Sequence, residues 1–170
     1  MSTDPQIQAA AIGAVIVWCF QLFDKLRDRC RGRQAALVAI ASEVQALCHL
    51  IRSQRYLEEF HKLANQIRSN SWNSEKYVVD IRGNYFTIYT SNASHISDLH
   101  ASQVSKIVSF YTYCQSAIDS TRPDGLIATS TDRNDIANNI LAVEGVLMAI
   151  LVLGDEIVKF PKKPLPVLEK

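Results

Sequence analysis

The chain contains no glycine-rich loop, no close pair of cysteines and no excess of charge of either sign. The six glycines are scattered and never form GxGxxG or GxxxxGK, which removes the usual phosphate-cradling loops and with them ordinary nucleotide chemistry. HExxH and GxSxG are missing, and no histidine stands at metal-ligand spacing from a cysteine, so the common hydrolase signatures are absent. Cys19, Cys30, Cys48 and Cys114 form no Cys-x-x-Cys, which argues against a disulfide framework and a zinc site and fits a reducing compartment. With 18 basic residues against 17 acidic ones there is no global field to draw nucleic acid or an acidic substrate. Any electrostatic partner must be met locally. Neither a catalytic set nor a cofactor is expected, and nucleic acid is not an expected partner.

What remains is enough to fold. A chain of 170 residues suits one domain, and 48% hydrophobic with 21% charged residues is an ordinary globular balance. From Ile7 to Phe23 the sequence runs IQAAAIGAVIVWCFQLF, with Gln8 and Gln21 its only polar side chains and no charge. Counted from Pro5 the run has 19 residues. As a helix it rises about 28 Å at 1.5 Å per residue, close to the ~30 Å hydrocarbon core of a bilayer. Lys25, Arg27, Arg29, Arg31 and Arg33 follow at once, whereas only Asp4 is charged before it. By the positive-inside rule this asymmetry keeps the basic end in the cytoplasm and the N-terminus outside. A cleaved signal peptide carries its positive charges before the apolar run and a small-residue cleavage site after it, and neither is found here. The competing reading is a buried helix of a soluble bundle, which the alanine content and modest length allow. The run DKLRDRCRGR, net +3, also admits two readings, a stop-transfer flank or a site for nucleic acid or acidic lipid. Its place directly after the apolar run favours the flank.

Beyond Gly32, which marks a break or hinge between Arg31 and Arg33, the residues Leu37, Ile40, Val44, Leu47 and Ile51 recur at spacings of 3 and 4, the seam of an amphipathic helix. The seam then shifts to Tyr56, Phe60, Leu63 and Ile67, so either one helix rotates its buried face or two helices meet near Ser53 to Arg55. The polar run from Ser69 to Lys76 ends this region. In KYVVDIRGNYFTIYT, β-branched and aromatic residues surround Arg82-Gly83-Asn84, the pattern of either a short hairpin or an extended crossover. A further helical seam is Val104, Ile107, Tyr111, Cys114 and Ile118, stopping before Pro123-Asp124-Gly125. Ser130, Thr131 and Asp132 offer caps for a last helix from about Asp132 to Val158. Its interior, ILAVEGVLMAILVL, is apolar on nearly every face, but Glu144, Asp155 and Glu156 favour a central core helix over a second membrane span. The core expected from these seams joins Val44, Leu47, Ile51, Ile107, Tyr111, Ile140, Val143 and Leu147. The tail KFPKKPLPVLEK, with three prolines in six residues, reads as extended.

Glu58-Glu59-Phe60-His61 places Glu and His at i and i+3, half of a di-iron carboxylate site, but the second half is missing and only Glu43 and Glu144 remain as interior carboxylates. No metal site is therefore expected. Glu144, a buried polar candidate in an apolar helix, needs a partner, and His49, His61 or Arg52 of the earlier helices can supply one. His95 and His100 flank a helix start, where they cap or meet solvent.

The stretch YFTIYTSNASHISDLHASQVSKIVSFYTYCQSAID, Tyr85 to Asp119, resembles small bacterial membrane-anchored helical proteins of unassigned function. In that group a hydrophobic helix and basic stop precede an amphipathic helix, a Tyr-x-x-Asn segment, a short Leu-rich turn and a helix containing Phe-Tyr. The matching positions are Tyr89 and Asn92, Ile96 and Leu99, Val104, Ile107 and Val108, and Phe110-Tyr111. Where the pattern has a Leu-Pro helix start, this chain has Leu99-His100. The resemblance rests on packing residues, and it implies architecture and location but no activity, substrate or catalytic residue.

The expectation is thus a mainly α protein. An N-terminal transmembrane helix with a basic stop occupies residues 1–33, a small antiparallel helical bundle with a short hairpin or crossover 34–160, and an extended tail 161–170. It is expected in the bacterial inner membrane as a single-pass protein with most of the chain cytoplasmic. Its expected role is a non-enzymatic interaction module that touches membrane lipid and binds a protein partner or a second copy. The competing expectation is a membrane-active effector or small pore-forming protein in which the last helix also inserts and Glu144 lines a polar path.

Overall fold

In the computed structural model the helix α1, Pro5–Ser53, runs unbroken for 49 residues, about 73 Å at 1.5 Å per residue. The structure describes residues 5–69 and 85–162, with side chains for 17–69 and 85–161. Gly32 does not interrupt α1, which corrects the expected hinge. No proline lies between Gln6 and Ser53 to remove a helical N–H, the flanking Arg, Gln, Ala and Leu are good helix formers, and one helical glycine costs only about 1 kcal/mol against alanine.

The chain turns instead at Gln54 and Arg55. Arg55, at φ 53° and ψ 35°, is left-handed, and α2, Tyr56–Arg68, leaves in a new direction. Two helices therefore meet at the point where the apolar seam changes register. The Arg55 guanidinium pairs with Glu58 across the first turn of α2. Phe60, Leu63, Ala64 and Ile67 form the buried stripe of α2.

Two short helices, α3, Thr87–Ser91, and α4, Ala93–Ile96, lead to α5, Ala101–Thr121. His100 caps α5: its Nδ1 accepts from the Ser102 N–H at 3.4 Å, and its own N–H donates to Gln103 Oε1 at 3.3 Å, a capping box built on histidine. After Pro123 and Gly125 come a single turn, α6, Leu126–Thr129, and then α7, Arg133–Ile157. Asp132 caps α7 by accepting from the N–H groups of Asn134 and Asp135 at 2.8 and 3.1 Å. A 3-10 turn, Phe160–Lys162, closes the described chain.

The described residues are predominantly helical and include no strand. Part of the alternative left open at Tyr77 to Tyr89 is decided. Tyr85 and Phe86 form a turn and α3 follows, so a second hairpin arm does not form there, while residues 77–84 lie outside the described chain. The cause lies on α1, where the Glu43 carboxylate accepts the N–H groups of Ile88 and Tyr89 at 2.8 and 3.0 Å. Donors that a helix start leaves free are satisfied by a negative group at its positive end, which outweighs the strand preference of Tyr, Ile and Thr.

α7 lies against α1, α2, α5 and α6. Its buried residues, Ala137, Ile140, Val143, Leu147, Ile150, Gly154 and Ile157, fall at spacings of 3 and 4. They meet Leu37, Ile40 and Val44 of α1, the stripe of α2, and Ile107, Phe110 and Tyr111 of α5 in one core, with Leu47 and Ile51 packed against it. The eight residues that the seams single out all belong to this core or its edge. Gly154 permits the closest approach: a Cβ there would fall 2.2 Å from Cys48 Sγ and 3.3 Å from the Phe110 ring. The opposite face of α7 remains apolar and open, with Met148 49% and Val152 62% exposed.

Candidate functional site

The first side chains described on α1 precede every packed residue. Val17, Trp18, Phe20, Leu22, Phe23 and Leu26 are 41–66% exposed, whereas burial on α1 begins at Ala36. At ~100° per residue these six positions point around the whole circumference of the helix. An amphipathic helix waiting for one partner would confine them to one stripe. Water is a poor surrounding for such a surface, at roughly 25 cal/mol per Å² of apolar area.

Directly below stand Lys25, Arg27, Arg29 and Arg31, all exposed, and Arg33, half-buried. Helical geometry places Lys25, Arg29 and Arg33 within about 80° of one another and Arg27 and Arg31 on the far side, so the cations form a collar. Arg27 reaches Asp24 at 3.7 Å. Arg33 turns toward the core, its Nη1 donating to the Asp98 carbonyl at 3.3 Å and its Nε buried without a hydrogen-bond partner among the described residues.

One carboxylate, Glu43, enters the interior, while Glu144, expected to be buried, stays half-buried at its edge because its partner lies at the surface. Glu144 of α7 meets His61 of α2, with 3.3 Å between Oε2 and Nδ1, at the edge of an open cleft lined by Leu57, Glu58, Lys62 and Asn65. Of its three candidate partners, Arg52 is instead held by both Asp155 oxygens at 2.9 and 2.8 Å. Lys106 pairs with one oxygen of Glu156. These bonds fasten the last turns of α7 to α1 and α5, and they offset two carboxylates placed at the negative end of a helix.

Glu43 is the deeper group, 9% exposed. Beyond the two N–H groups of α3 it accepts the Tyr111 hydroxyl at 2.6 Å, and Tyr111 stacks on Tyr89 with ring centroids 4.0 Å apart. Burial pushes the Tyr111 phenol up, and the hydrogen bond and charge of Glu43 push it further. From the sequence Glu43 is visible only as an interior carboxylate. The unread signal is its place three residues after Ile40 on the seam, where an acid cannot face water.

The remaining candidate groups among the described residues are spoken for by their own surroundings. The apolar cavity between α1, α2, α5 and α7, about 110 Å³, is lined almost entirely by hydrocarbon, including Leu47, Ile51, Phe60 and Leu147. Its Thr121 hydroxyl is spent on the Ala117 and Ile118 carbonyls of its own helix. The Cys114 thiol on its wall is pushed up to about 12, chiefly by burial, so it is not a thiolate at neutral pH. Among the described residues no three His, Cys, Asp or Glu groups gather at metal-binding distance, and the Glu58, Glu59 and His61 cluster recruits only Glu144.

Two helices are long and apolar enough to cross a membrane, α1 between Val17 and Ser53, and α7. No family model, no curated protein and no solved structure matches the chain.

Proposed function

We propose that this chain is a membrane-anchored, non-enzymatic interaction module. Residues 5–23 cross the bacterial inner membrane once, the collar from Lys25 to Arg33 lies on the cytoplasmic side, and the antiparallel bundle formed after Gln34 presents its surface to a protein partner or a second copy. The observation that carries this reading is the all-round exposure of Val17, Trp18, Phe20, Leu22, Phe23 and Leu26 on a helix continuous with the core. A hydrocarbon surrounding suits such a surface, and cations directly after it suit the headgroup layer. The resemblance of Tyr85 to Asp119 to bacterial membrane-anchored proteins agrees with it.

A second reading is favoured by the open apolar face of α7, along which Met148 and Val152 are exposed. In it the protein is a membrane-active effector whose α7 also inserts. The contacts of Glu144, Asp155 and Glu156 with α2, α1 and α5 weigh against it, because insertion would strip those partners away.

Alkaline washing of membranes tests both. The full chain should stay in the pellet until detergent is added, and a chain beginning at Gln34 should be recovered folded in the supernatant. Full-length protein in the supernatant would overturn the anchor. A shortened chain that stays in the pellet would replace the module with the effector.

A further inference from the structure

Three contacts join α1 to other parts of the fold at one level. Arg33 donates to the Asp98 carbonyl between α4 and α5, Gly32 faces His95 of α4, and Gln34 Nε2 donates to the Pro161 carbonyl at 3.3 Å. The short helix α4 and the turn after α7 therefore both reach α1 at the end of the domain nearest its exposed apolar part. Exposed Lys159 belongs to that end.

The rise of a helix sets the distances. Lys25, Arg27 and Arg29 lie about 3, 6 and 9 Å below Phe23, and the level of Gly32 to Gln34 about 13–16 Å below it. A headgroup layer is about 5–7 Å deep on each side of the hydrocarbon. The first cations of the collar thus fall within or just below the headgroups. The end of the domain falls within about one screening length, ~8 Å, of their outer edge. That end carries Lys25, Arg27, Arg29, Arg31, Arg33 and Lys159 against Asp24, Asp28 and Asp98, in a chain whose total charge is only +1. Positive charge is therefore concentrated at the one end that would face the bilayer.

Resting on the anchored reading, we propose that the collar and this end of the domain form a single surface for anionic phospholipids. Lys25, Arg27 and Arg29 meet phosphate groups within the layer. Arg31 meets them from below, and Lys159, about one screening length farther down, is drawn by the surface charge, so that together they hold the domain close to the membrane. Anchoring alone needs only the apolar run and leaves the domain indifferent to lipid charge. The surface described here makes its seating depend on that charge. Each cation close to an anionic surface contributes about a fivefold gain in association.

The test places the full chain in lipid nanodiscs and follows amide hydrogen exchange at Ala93–Ile96 and Lys159–Phe160. Exchange there should be about fivefold or more slower in discs with 30% phosphatidylglycerol than in phosphatidylcholine discs. The difference should vanish in the double variant Arg31→Gln, Lys159→Gln and at high salt. Both side chains are exposed, so the variant keeps its fold, and Lys25, Arg27 and Arg29 keep the orientation. Equal exchange in the two lipids, with the protein incorporated in both, would overturn the lipid surface and leave the anchor standing. Slowing in neutral discs by inorganic phosphate alone would assign the cations to a soluble anion and also overturn it. Failure to enter discs at all would overturn the anchor itself.

Discussion

The Tyr111 hydroxyl donates to Glu43 at 2.6 Å, and through that carboxylate α5, α3 and α1 are tied at one point. Glu43→Ala strands three donors, two of them backbone N–H groups. It should cost about 3 kcal/mol or more, since each buried unsatisfied group costs ~1–3. Tyr111→Phe leaves the carboxylate its two N–H partners and should cost less. Thermal melts of the two single variants and the double variant in detergent check this, because partners in one network are non-additive. Strict additivity would mean that the three groups do not act together.

A pH dependence follows from the same region. The Tyr111 phenol and the Cys114 thiol both titrate higher in the folded chain than in the unfolded one, the thiol at about 12 against an ordinary value of 9.0. A group whose folded value is raised stabilises fully below its unfolded value and loses that contribution as the pH climbs. Stability should therefore decline from about pH 9 upward. The decline should be shallower in Cys114→Ala, as melts at stepped pH would reveal.

Gly154 is closed to any side chain. Gly154→Ala would drive a methyl group into Cys48 Sγ and should destabilise by about 1–3 kcal/mol, the usual cost of overpacking. Removing the sulfur in Cys48→Ala should recover part of that loss when the two changes are combined. Urea titration of the four-member cycle measures the recovery. Two independent losses would show that the helices do not approach each other there.

Orientation is checked by labelling. In a chain with Cys19 and Cys30 replaced by serine, a thiol at Thr3→Cys should react with an impermeant reagent outside intact cells, and one at Leu165→Cys should react only after lysis. Glu in place of Arg27, Arg29 and Arg31 should mix the two topologies, because in the proposed orientation those charges form the cytoplasmic flank. Exchange of the labelling pattern in the parent chain would reverse the assignment of sides.

The helical seams could be read because burial imposes a period: Leu37, Ile40 and Val44, or Ile140, Val143 and Leu147, lie on one face before any neighbour is known. The turn could be read only as a change of register. Gly32, the residue that composition marks as weak, stays helical, and Arg55, which nothing local marks, takes the left-handed conformation where α2 must turn toward α7. Tyr85 to Tyr89 carry strand-forming side chains, yet their backbone answers to Glu43 more than forty residues away, which no local pattern can report. The placing of the five cations on one helix follows from their order along the chain, whereas the turn of Arg33 toward the Asp98 carbonyl does not. The Glu144 pairing was legible as a need for a partner, while the selection of His61 over Arg52 depended on Asp155 holding the arginine.

If the chain is anchored as proposed, the continuity of α1 through Gly32 gives it a mechanical property. With no joint between apolar run and core, the two share one helical phase, so which flank of the domain faces a neighbour along the membrane is set by the residue count between Phe23 and Gln34. One inserted residue would turn the domain by ~100° and lower it by ~1.5 Å, and a tilt of the span would swing it as a lever. A jointed tether would absorb such changes. Here the azimuth of the domain is written into the length of its stem.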